Sequence, residues 1–294
     1  MNRLTIGDAS VSRVEEMVDT TFTAAGFFRP FQPEALKPHM KWLAPRYYIP
    51  ERDALVFSMH AWLVKTGGHT VLIDTCVGND KERMPRAHWH HLRTPFLERL
   101  RAAGAAPEDV DYVMCTHLHA DHVGWNTKLE NGRWVPTFPN ARYLLGRIEY
   151  EHWLKNPDPN PIRRAAFLDS ALPVVEAGRA DLIEDGHEVD GAFTVELAPG
   201  HTPGNVHIRL ASKGAEAIFA GDTIHHPMQA YEVGWSTVAC LDPVAAATAR
   251  RRLLEACVER NALLLPGHFG EPHGAYVRAA GDAFDLAWLK APVA

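Results

Sequence analysis

The sequence feature that most limits what this chain can fold into is the run THLHADHVG at residues 116–124. It follows an apolar segment with the pattern of a buried strand. Residues two apart point the same way in an extended segment, so His117 and His119 can bind one ion together. Asp121 and His122 then fall where the chain turns, and they can face a second ion. Imidazole nitrogens and carboxylate oxygens suit zinc and its first-row neighbours, so the run predicts a metal site.

Three later segments repeat the same arrangement. In each, a short apolar run is broken by Gly or Pro-Gly and is followed by a residue of a ligand type: His201, Asp222 and His268. Active sites in layered proteins collect on loops at strand ends. Any one of these residues alone could be a structural histidine or a turn aspartate. Taken with the first run, the set predicts a two-metal site.

These motifs carry a resemblance to a known family. HxHxDH (117–122), PGHTPG (199–204), GD (221–222) and a later PGH (266–268) resemble the metallo-β-lactamase-fold superfamily of metal-dependent hydrolases over residues 55–270. The resemblance implies an α+β fold, an αββα four-layer sandwich of two facing sheets with helices outside and the metal site at one edge. It also implies the ligands: His117, His119 and His201 for one ion, Asp121, His122 and His268 for the other, and Asp222 as the bridge.

The resemblance extends to a supporting residue and to the metals. Asp74 follows the apolar run 71–73 and matches an aspartate that supports the metal ligands from behind. The implied cofactors are two divalent ions. Zinc is the default for this ligand mixture, and manganese, iron or cobalt would also fit.

The implied chemistry is hydrolysis without a side-chain nucleophile. Two ions about 3.5–4 Å apart can activate a shared water at neutral pH and polarise a carbonyl or phosphoryl oxygen. Asp121 is the candidate to take up the proton and pass it to the leaving group. The sequence contains no G-x-S-x-G elbow and no P-loop, so acyl-serine and nucleotide-phosphate mechanisms have no support.

Within the superfamily, residues 122–126, 132–141 and 221–229 resemble the branch that holds N-acyl homoserine lactonases and methyl parathion hydrolase. Some lactonases carry a tyrosine three residues after the bridging aspartate, where this chain has His225. His225 is therefore a candidate catalytic residue that hydrogen-bonds the substrate, and the substitution favours hydrolase and arylesterase members. Asn205 replaces a second family histidine and is expected to be a turn residue of little consequence.

The substrate is expected to be a small, neutral, ester-like molecule: a lactone, an aryl ester or a phosphotriester. Two alternatives stay open: a mononuclear iron persulfide dioxygenase on the same scaffold, and a non-catalytic member that binds a partner. Trp125 either lines the substrate pocket or packs in the core, and His226 is a second pocket candidate. His207 is expected to point away from the core.

Composition agrees with one domain over residues 1–294. Hydrophobic residues make up 46% of the chain and charged residues 22%, as in ordinary globular proteins. A net charge of −6 and the absence of a basic stripe argue against a nucleic-acid partner. No apolar run approaches a membrane span, and no signal peptide is recognised, so a cytoplasmic protein with four reduced cysteines is expected.

Two segments have no assigned role. Residues 27–50, rich in proline and aromatics, are expected either to cap the active site or to form a contact in a homodimer. His88, His90 and His91 cluster around Trp89 in what is predicted to be an exposed loop that precedes a helix.

Overall fold

The first sheet has seven strands that lie side by side in their order along the chain. The first four strands pair antiparallel, and the fourth to seventh pair parallel. In the computed structural model, which describes residues 3–289, these strands are β1 (Arg3–Ile6), β2 (Ala9–Asp19), β3 (Phe57–Lys65), β4 (Thr70–Ile73), β5 (Tyr112–Met114), β6 (Arg142–Gly146) and β7 (Ala180–Ile183).

The second sheet also has seven strands in chain order, and only its fourth and fifth strands run parallel. Parallel pairing brings the carboxyl ends of these two strands to the same edge of the sheet. The strands are β8 (Glu188–Val189), β9 (Phe193–Leu197), β10 (Val206–Ser212), β11 (Ala215–Gly221), β12 (Leu263–Pro266), β13 (Ala275–Ala280) and β14 (Ala283–Trp288).

Alternation along the strands builds the core between the sheets. In β4, Val71 and Ile73 face the second sheet, while Leu72 faces the outer helices. The inner layer contains Trp62 of β3 and Phe219 of β11, whose ring centroids lie 6.1 Å apart. The indole Nε1 of Trp62 also donates to the carbonyl of Pro266 at 3.2 Å, which links the sheets directly.

Helices cover the outer faces of both sheets. The longest helix packs its Leu253, Leu254 and Cys257 side chains against the second sheet. It begins after Asp242, whose carboxylate accepts hydrogen bonds from two backbone N–H groups of the first turn. The helices are α1 (Ala24–Phe27), α2 (Met40–Leu43), α3 (Phe96–Ala102), α4 (Ala120–Val123), α5 (Arg147–Lys155), α6 (Pro161–Ala166), α7 (Leu172–Glu176), α8 (Met228–Tyr231) and α9 (Pro243–Arg260).

Shorter elements complete the chain. There are three small two-stranded antiparallel sheets among the described residues. They pair Phe28–Arg29 with Ser236–Thr237, Tyr48–Ile49 with Ala54–Leu55, and Thr127–Glu130 with Arg133–Pro136. 3₁₀ segments span Pro33–His39, Pro50–Arg52, Pro107–Asp109 and Gly124–Asn126, and a π-helical turn spans Phe167–Ala171.

The two facing sheets with helices outside confirm the predicted sandwich. Leu55 pairs with Tyr48 and lies outside β3, which begins at Phe57. Within residues 3–289, no helix is long and apolar enough to cross a membrane.

Candidate metal centre

The loops that follow five strands meet at one edge of the sandwich. Asp74 follows β4, the 116–122 run follows β5, and His201 lies beyond β9. Asp222 and His268 follow the parallel neighbours β11 and β12. All seven predicted metal ligands lie here, in two adjoining groups. Within each group, the donor atoms of the different residues lie within 4.8 Å of one another. The first group is His117, His119, His201 and Asp222, and the second is Asp121, His122 and His268.

Asp222 lies between the two groups. Its Oδ2 lies 3.2 Å from Nε2 of His201 and 3.7 Å from Nε2 of His117. Its Oδ1 lies 3.1 Å from Nε2 of His122 and 2.9 Å from Nε2 of His268. One carboxylate oxygen therefore faces each group, which is the geometry that a bridging ligand requires.

Asp74 orients His122 from behind. Its Oδ2 lies 2.8 Å from Nδ1 of His122, so Nε2 of that ring is directed at Asp222. Its Oδ1 accepts from the backbone N–H of Thr116 at 2.8 Å, at the point where the metal-binding run begins. A single buried carboxylate thus holds both ends of the run.

Gly221 allows β11 to approach this run closely. Its φ is +48°, and a Cβ atom there would lie 2.5 Å from Oγ1 of Thr116. Any other residue would displace one of the two loops, so the glycine before Asp222 is required by both conformation and space.

Glu149 of α5, which sequence reasoning missed, ties the first histidine loop to the second. It is buried, and its two oxygens accept from the backbone N–H groups of Leu118 at 3.1 Å and Gly204 at 3.0 Å. Trp153 donates to it as well, at 2.7 Å. A helix that contains two glutamates gives no signal that one of them is buried.

Cys240 is a second residue that sequence reasoning left unassigned near the site. Its Sγ lies 3.6 Å from Nδ1 of His201. Burial lowers the pKa of His201, but Asp222 and Cys240 together outweigh it and raise that pKa to about 9. Nε2 of the ring is left facing Asp222.

The electrostatics of the centre favour a cation. Burial lowers the pKa of His117 well below its ordinary value, and the neighbouring imidazoles lower it further. Burial opposes the ionisation of Asp222, but the surrounding histidines outweigh it and hold its pKa well below the ordinary range. For His122, burial is outweighed by Asp222 and Asp74, which raise its pKa. A bound cation would displace such protons.

These residues fit divalent ions. Nε2 of His117 is buried without a hydrogen-bond partner among the described residues, which leaves a lone pair that an ion would satisfy. Imidazole and carboxylate donors in two groups of three, with a shared carboxylate, match the preferences of zinc, manganese, iron and cobalt.

A cavity opens onto the two groups. Its floor is polar. Its walls are mainly aromatic and aliphatic side chains from residues 22–27, β3, the 77–94 loop and α6. The lining residues are Phe22, Phe27, Phe57, Met59, Arg86, Trp89, His119, Ala120, Asp121, Asn160, Ile162, Arg163, Asp222, His225, Val238, Ala239 and His268.

Two predicted pocket residues do not line this cavity. The Trp125 ring stacks on Phe96 with centroids 5.4 Å apart, and its Nε1 donates to the buried Glu16 at 2.6 Å. Nε2 of His226 lies 3.0 Å from the carbonyl of Tyr47, which belongs to the 27–50 segment. Among the described residues, Trp125 therefore takes the packing alternative of its prediction, and His226 packs beside Tyr47 instead of lining the cavity. His225 does line the cavity, with Nε2 3.0 Å from Oδ2 of Asp222.

Two further expectations are corrected. Asn205 is fully buried and donates to the carbonyl of Ala198 and to Oγ1 of Thr223, both at 3.0 Å. It therefore joins the His201 loop to the Asp222 loop. His207 is buried on the face of β10 opposite Val206 and Ile208, where its Nε2 lies 2.8 Å from the same Thr223 hydroxyl. The Thr223 hydroxyl supplies the polar partner that a buried imidazole needs.

The two unassigned segments both reach the cavity. In the 27–50 segment, Phe27 contacts the His225 ring at a centroid distance of 5.5 Å. In the histidine-rich loop, Trp89 lines the cavity wall and donates to the buried Asp19 at 3.0 Å. Asp19 also lies 2.9 Å from Nε2 of His88.

The two facing sheets carry a cluster of histidine and aspartate donors at one edge, where loops from both sheets meet. The chain belongs to the metallo-beta-lactamase superfamily, whose family model matches residues 56–268. Divalent metal ions are the cofactors that this superfamily implies.

Among curated relatives, the chain is similar to the N-acyl homoserine lactonase AttM of Rhizobium radiobacter, with 28% identity over 162 residues. That match covers 47% of this chain and 54% of the relative, so the chain spans about half of its length. An N-acyl homoserine lactonase of Bacillus thuringiensis is 24% identical over 58% of this chain and 60% of its own length.

Two solved structures have the same fold over nearly the whole chain. The hydrolase AbOPH of the beta lactamase superfamily superposes with a TM-score of 0.81 at 23% identity. AidC, a dizinc quorum-quenching lactonase in complex with a product, superposes with a TM-score of 0.81 at 19% identity. Each match covers 99% of this chain and 98% of the other chain.

Proposed function

We propose that this protein is a dinuclear metal-dependent hydrolase of small, neutral, ester-like substrates: lactones, aryl esters or phosphotriesters. The observation that carries the proposal is Asp222, which faces His117 and His201 of one donor group with one oxygen and the second donor group with the other. One ion would be held by His117, His119 and His201, the other by Asp121, His122 and His268, with Asp222 shared. Zinc is the ion that we expect in both positions.

Two such ions, when bound, supply an activated water at neutral pH and polarise the substrate oxygen. Asp121 lines the cavity, with Oδ2 3.6 Å from Nε2 of His268, and would take up the proton and deliver it to the leaving group. His225 would hydrogen-bond the substrate oxygen from the cavity wall. Burial, more than any neighbour, lowers the pKa of His225 to about 4, so the ring is neutral at pH 7.

The cavity walls support the substrate class. Phe22, Phe27, Phe57 and Met59 give one side of the cavity an apolar surface that suits an acyl or aryl group. The lactonase names of the curated relatives favour lactones within this class. The histidine at position 225 favours aryl esters and phosphotriesters, so both types need to be tested.

The test is kcat/KM on one metal-reconstituted preparation with an acyl homoserine lactone and with a dialkyl aryl phosphotriester. Asp222→Ala serves as the blank, and Asp282→Ala, which removes an exposed aspartate, is the matched control. We expect turnover of at least one substrate by the wild type and the control, and two metal equivalents lost or loosened in the blank. No turnover above the blank would overturn the proposal; bound iron with oxygen uptake would point to the dioxygenase alternative.

A further inference from the structure

A third group of metal-type donors lies outside the metal centre. Within residues 3–289, only three sets of His, Cys, Asp and Glu side chains bring three or more donor atoms within 4.8 Å of one another. Two of them form the metal centre. The third consists of Glu82, His90 and His91, in the loop between β4 and α3.

The spacing of this third group suits one ion. Oε1 of Glu82 lies 3.0 Å from Nδ1 of His90, and Oε2 lies 3.7 Å from Nε2 of His91. Ligands about 2.0–2.1 Å from a tetrahedral zinc ion are separated by about 3.4 Å. The two measured distances fall on either side of that value, and similar distances separate the donors of the metal centre.

His91 presents a free lone pair to the carboxylate, and His90 lies beside it. Nδ1 of His91 lies 3.1 Å from the carbonyl of Asp80 and donates its proton there, which leaves Nε2 as an acceptor facing Glu82. Nδ1 of His90 accepts from the backbone N–H of Arg83 at 3.2 Å. The same nitrogen lies 3.0 Å from Oε1 of Glu82, so an ion bound between the two would replace the contact with the Arg83 N–H.

We propose that Glu82, His90 and His91 form a third divalent-cation site, separate from the catalytic pair. Two imidazoles and one carboxylate are a known zinc ligand set with an open fourth position for water. The three side chains are 27% to 63% exposed, so an ion reaches the site directly from solvent.

The location gives this site a consequence for the cavity. The loop is held on one side by Arg83, which forms an ion pair with the buried Asp169 at 2.6 Å. On the other side His88 and Trp89 are held by Asp19. Arg86 and Trp89, which line the substrate cavity, lie between Glu82 and His90 in the sequence. An ion bound by Glu82 and His90 would close this loop and restrain the cavity wall.

Metal stoichiometry tests the proposal without using catalysis. The full-length protein is loaded with zinc, dialysed against metal-free buffer and analysed for bound metal. We expect His91→Ala to retain one equivalent fewer than the wild type, and the exposed-histidine control His187→Ala to retain the full complement. Because the wild type and the variant are loaded in the same way, the expected difference of one zinc equivalent does not require a fully occupied catalytic centre.

A second variant and a second measurement guard against misfolding. Glu82→Gln keeps the shape of the side chain and should lose the same equivalent as His91→Ala. Zinc should slow amide exchange of residues 80–92 in the wild type and leave it unchanged in both variants. Equal metal content in the wild type and both variants, or loss of the third equivalent from the wild type on dialysis, would overturn the proposal.

Discussion

At the residue scale, His225 is the side chain that we propose to contact the substrate without holding a metal ion. It belongs to neither donor group, yet it lines the cavity and lies 3.0 Å from Asp222. Its sequence neighbour His226 is also buried but is turned away, toward Tyr47. Adjacent histidines in one loop therefore provide a test residue and its control.

Replacing His225 with glutamine should lower kcat/KM about 100-fold, the usual effect of losing one donor to the reacting oxygen. Metal content should stay at the wild-type level. His226→Gln should keep kcat/KM near wild type, since that ring lies outside the cavity. Steady-state kinetics with metal analysis checks both variants; equal losses in the two would contradict a substrate role for His225.

The same residue has a predictable pH response. A histidine with a pKa lowered to about 4 gains its proton only in acid, so the hydrogen bond that it donates is unchanged from pH 6 to 9. The activity ratio of wild type to His225→Gln should therefore be flat across this range.

At the scale of elements, the centre depends on side chains that connect loops from different strands. Glu149 of α5 holds the loop of His117 and His119 against the loop of His201 through two backbone N–H groups. Asp74 and Asn205 make similar connections. The strands set the loop positions roughly, and these polar contacts set the donor geometry.

Glu149→Gln should lower the free energy of unfolding by about 1–3 kcal/mol, since an amide nitrogen would face a backbone donor in the interior. Urea unfolding of the ion-free protein measures the change. Glu176→Gln, on the exposed end of α7, should stay within about 0.5 kcal/mol of wild type. A similar shift in both variants would mean that Glu149 does not act through its buried contacts.

Local patterns in the sequence predict the elements that carry the donors but not the contacts that support them. The strand, glycine and ligand pattern places His201, Asp222 and His268 on loops, and the structure brings those loops together. Trp125 could not be assigned in the same way, because its partner Glu16 is 109 residues away on β2. The burial of His207 on β10 likewise depends on its contact with Thr223, which lies 16 residues away on a loop.

At the scale of the whole molecule, a buried charge network anchors the loop over the cavity. Lys81 and Arg83 are fully buried, and both pair with Asp169 of the π-helical turn. Burial, more than any neighbour, lowers the pKa of Lys81 to about 7, although Asp169 acts in the opposite direction. No local sequence pattern reveals this network, because Asp169 lies 86 residues from Arg83.

The network makes stability depend on pH. Between the folded pKa of about 7 and the ordinary value of 10.5, the unfolded chain holds a proton on Lys81 that the folded chain has released. The free energy of unfolding should therefore rise with pH from 7 to 9, by up to about 1.4 kcal/mol per unit from this group.

Lys81→Met isolates that contribution from those of the other titrating groups. Urea unfolding at pH 7, 8 and 9 should give a steeper rise for the wild type than for the variant. Lys213→Met, at a lysine 73% exposed, should follow the wild-type slope. Parallel curves for the wild type and Lys81→Met would show that Lys81 keeps its proton in the folded state.

The proposed metal donors follow strands of both sheets and come from positions as distant in the chain as His117 and His268. Such a site does not exist until the two sheets have docked, because contacts between remote segments form late. Ions held there would act on the finished structure, lowering the rate of unfolding and leaving the rate of folding nearly unchanged. The lifetime of the folded chain would then follow the metal supply of its surroundings.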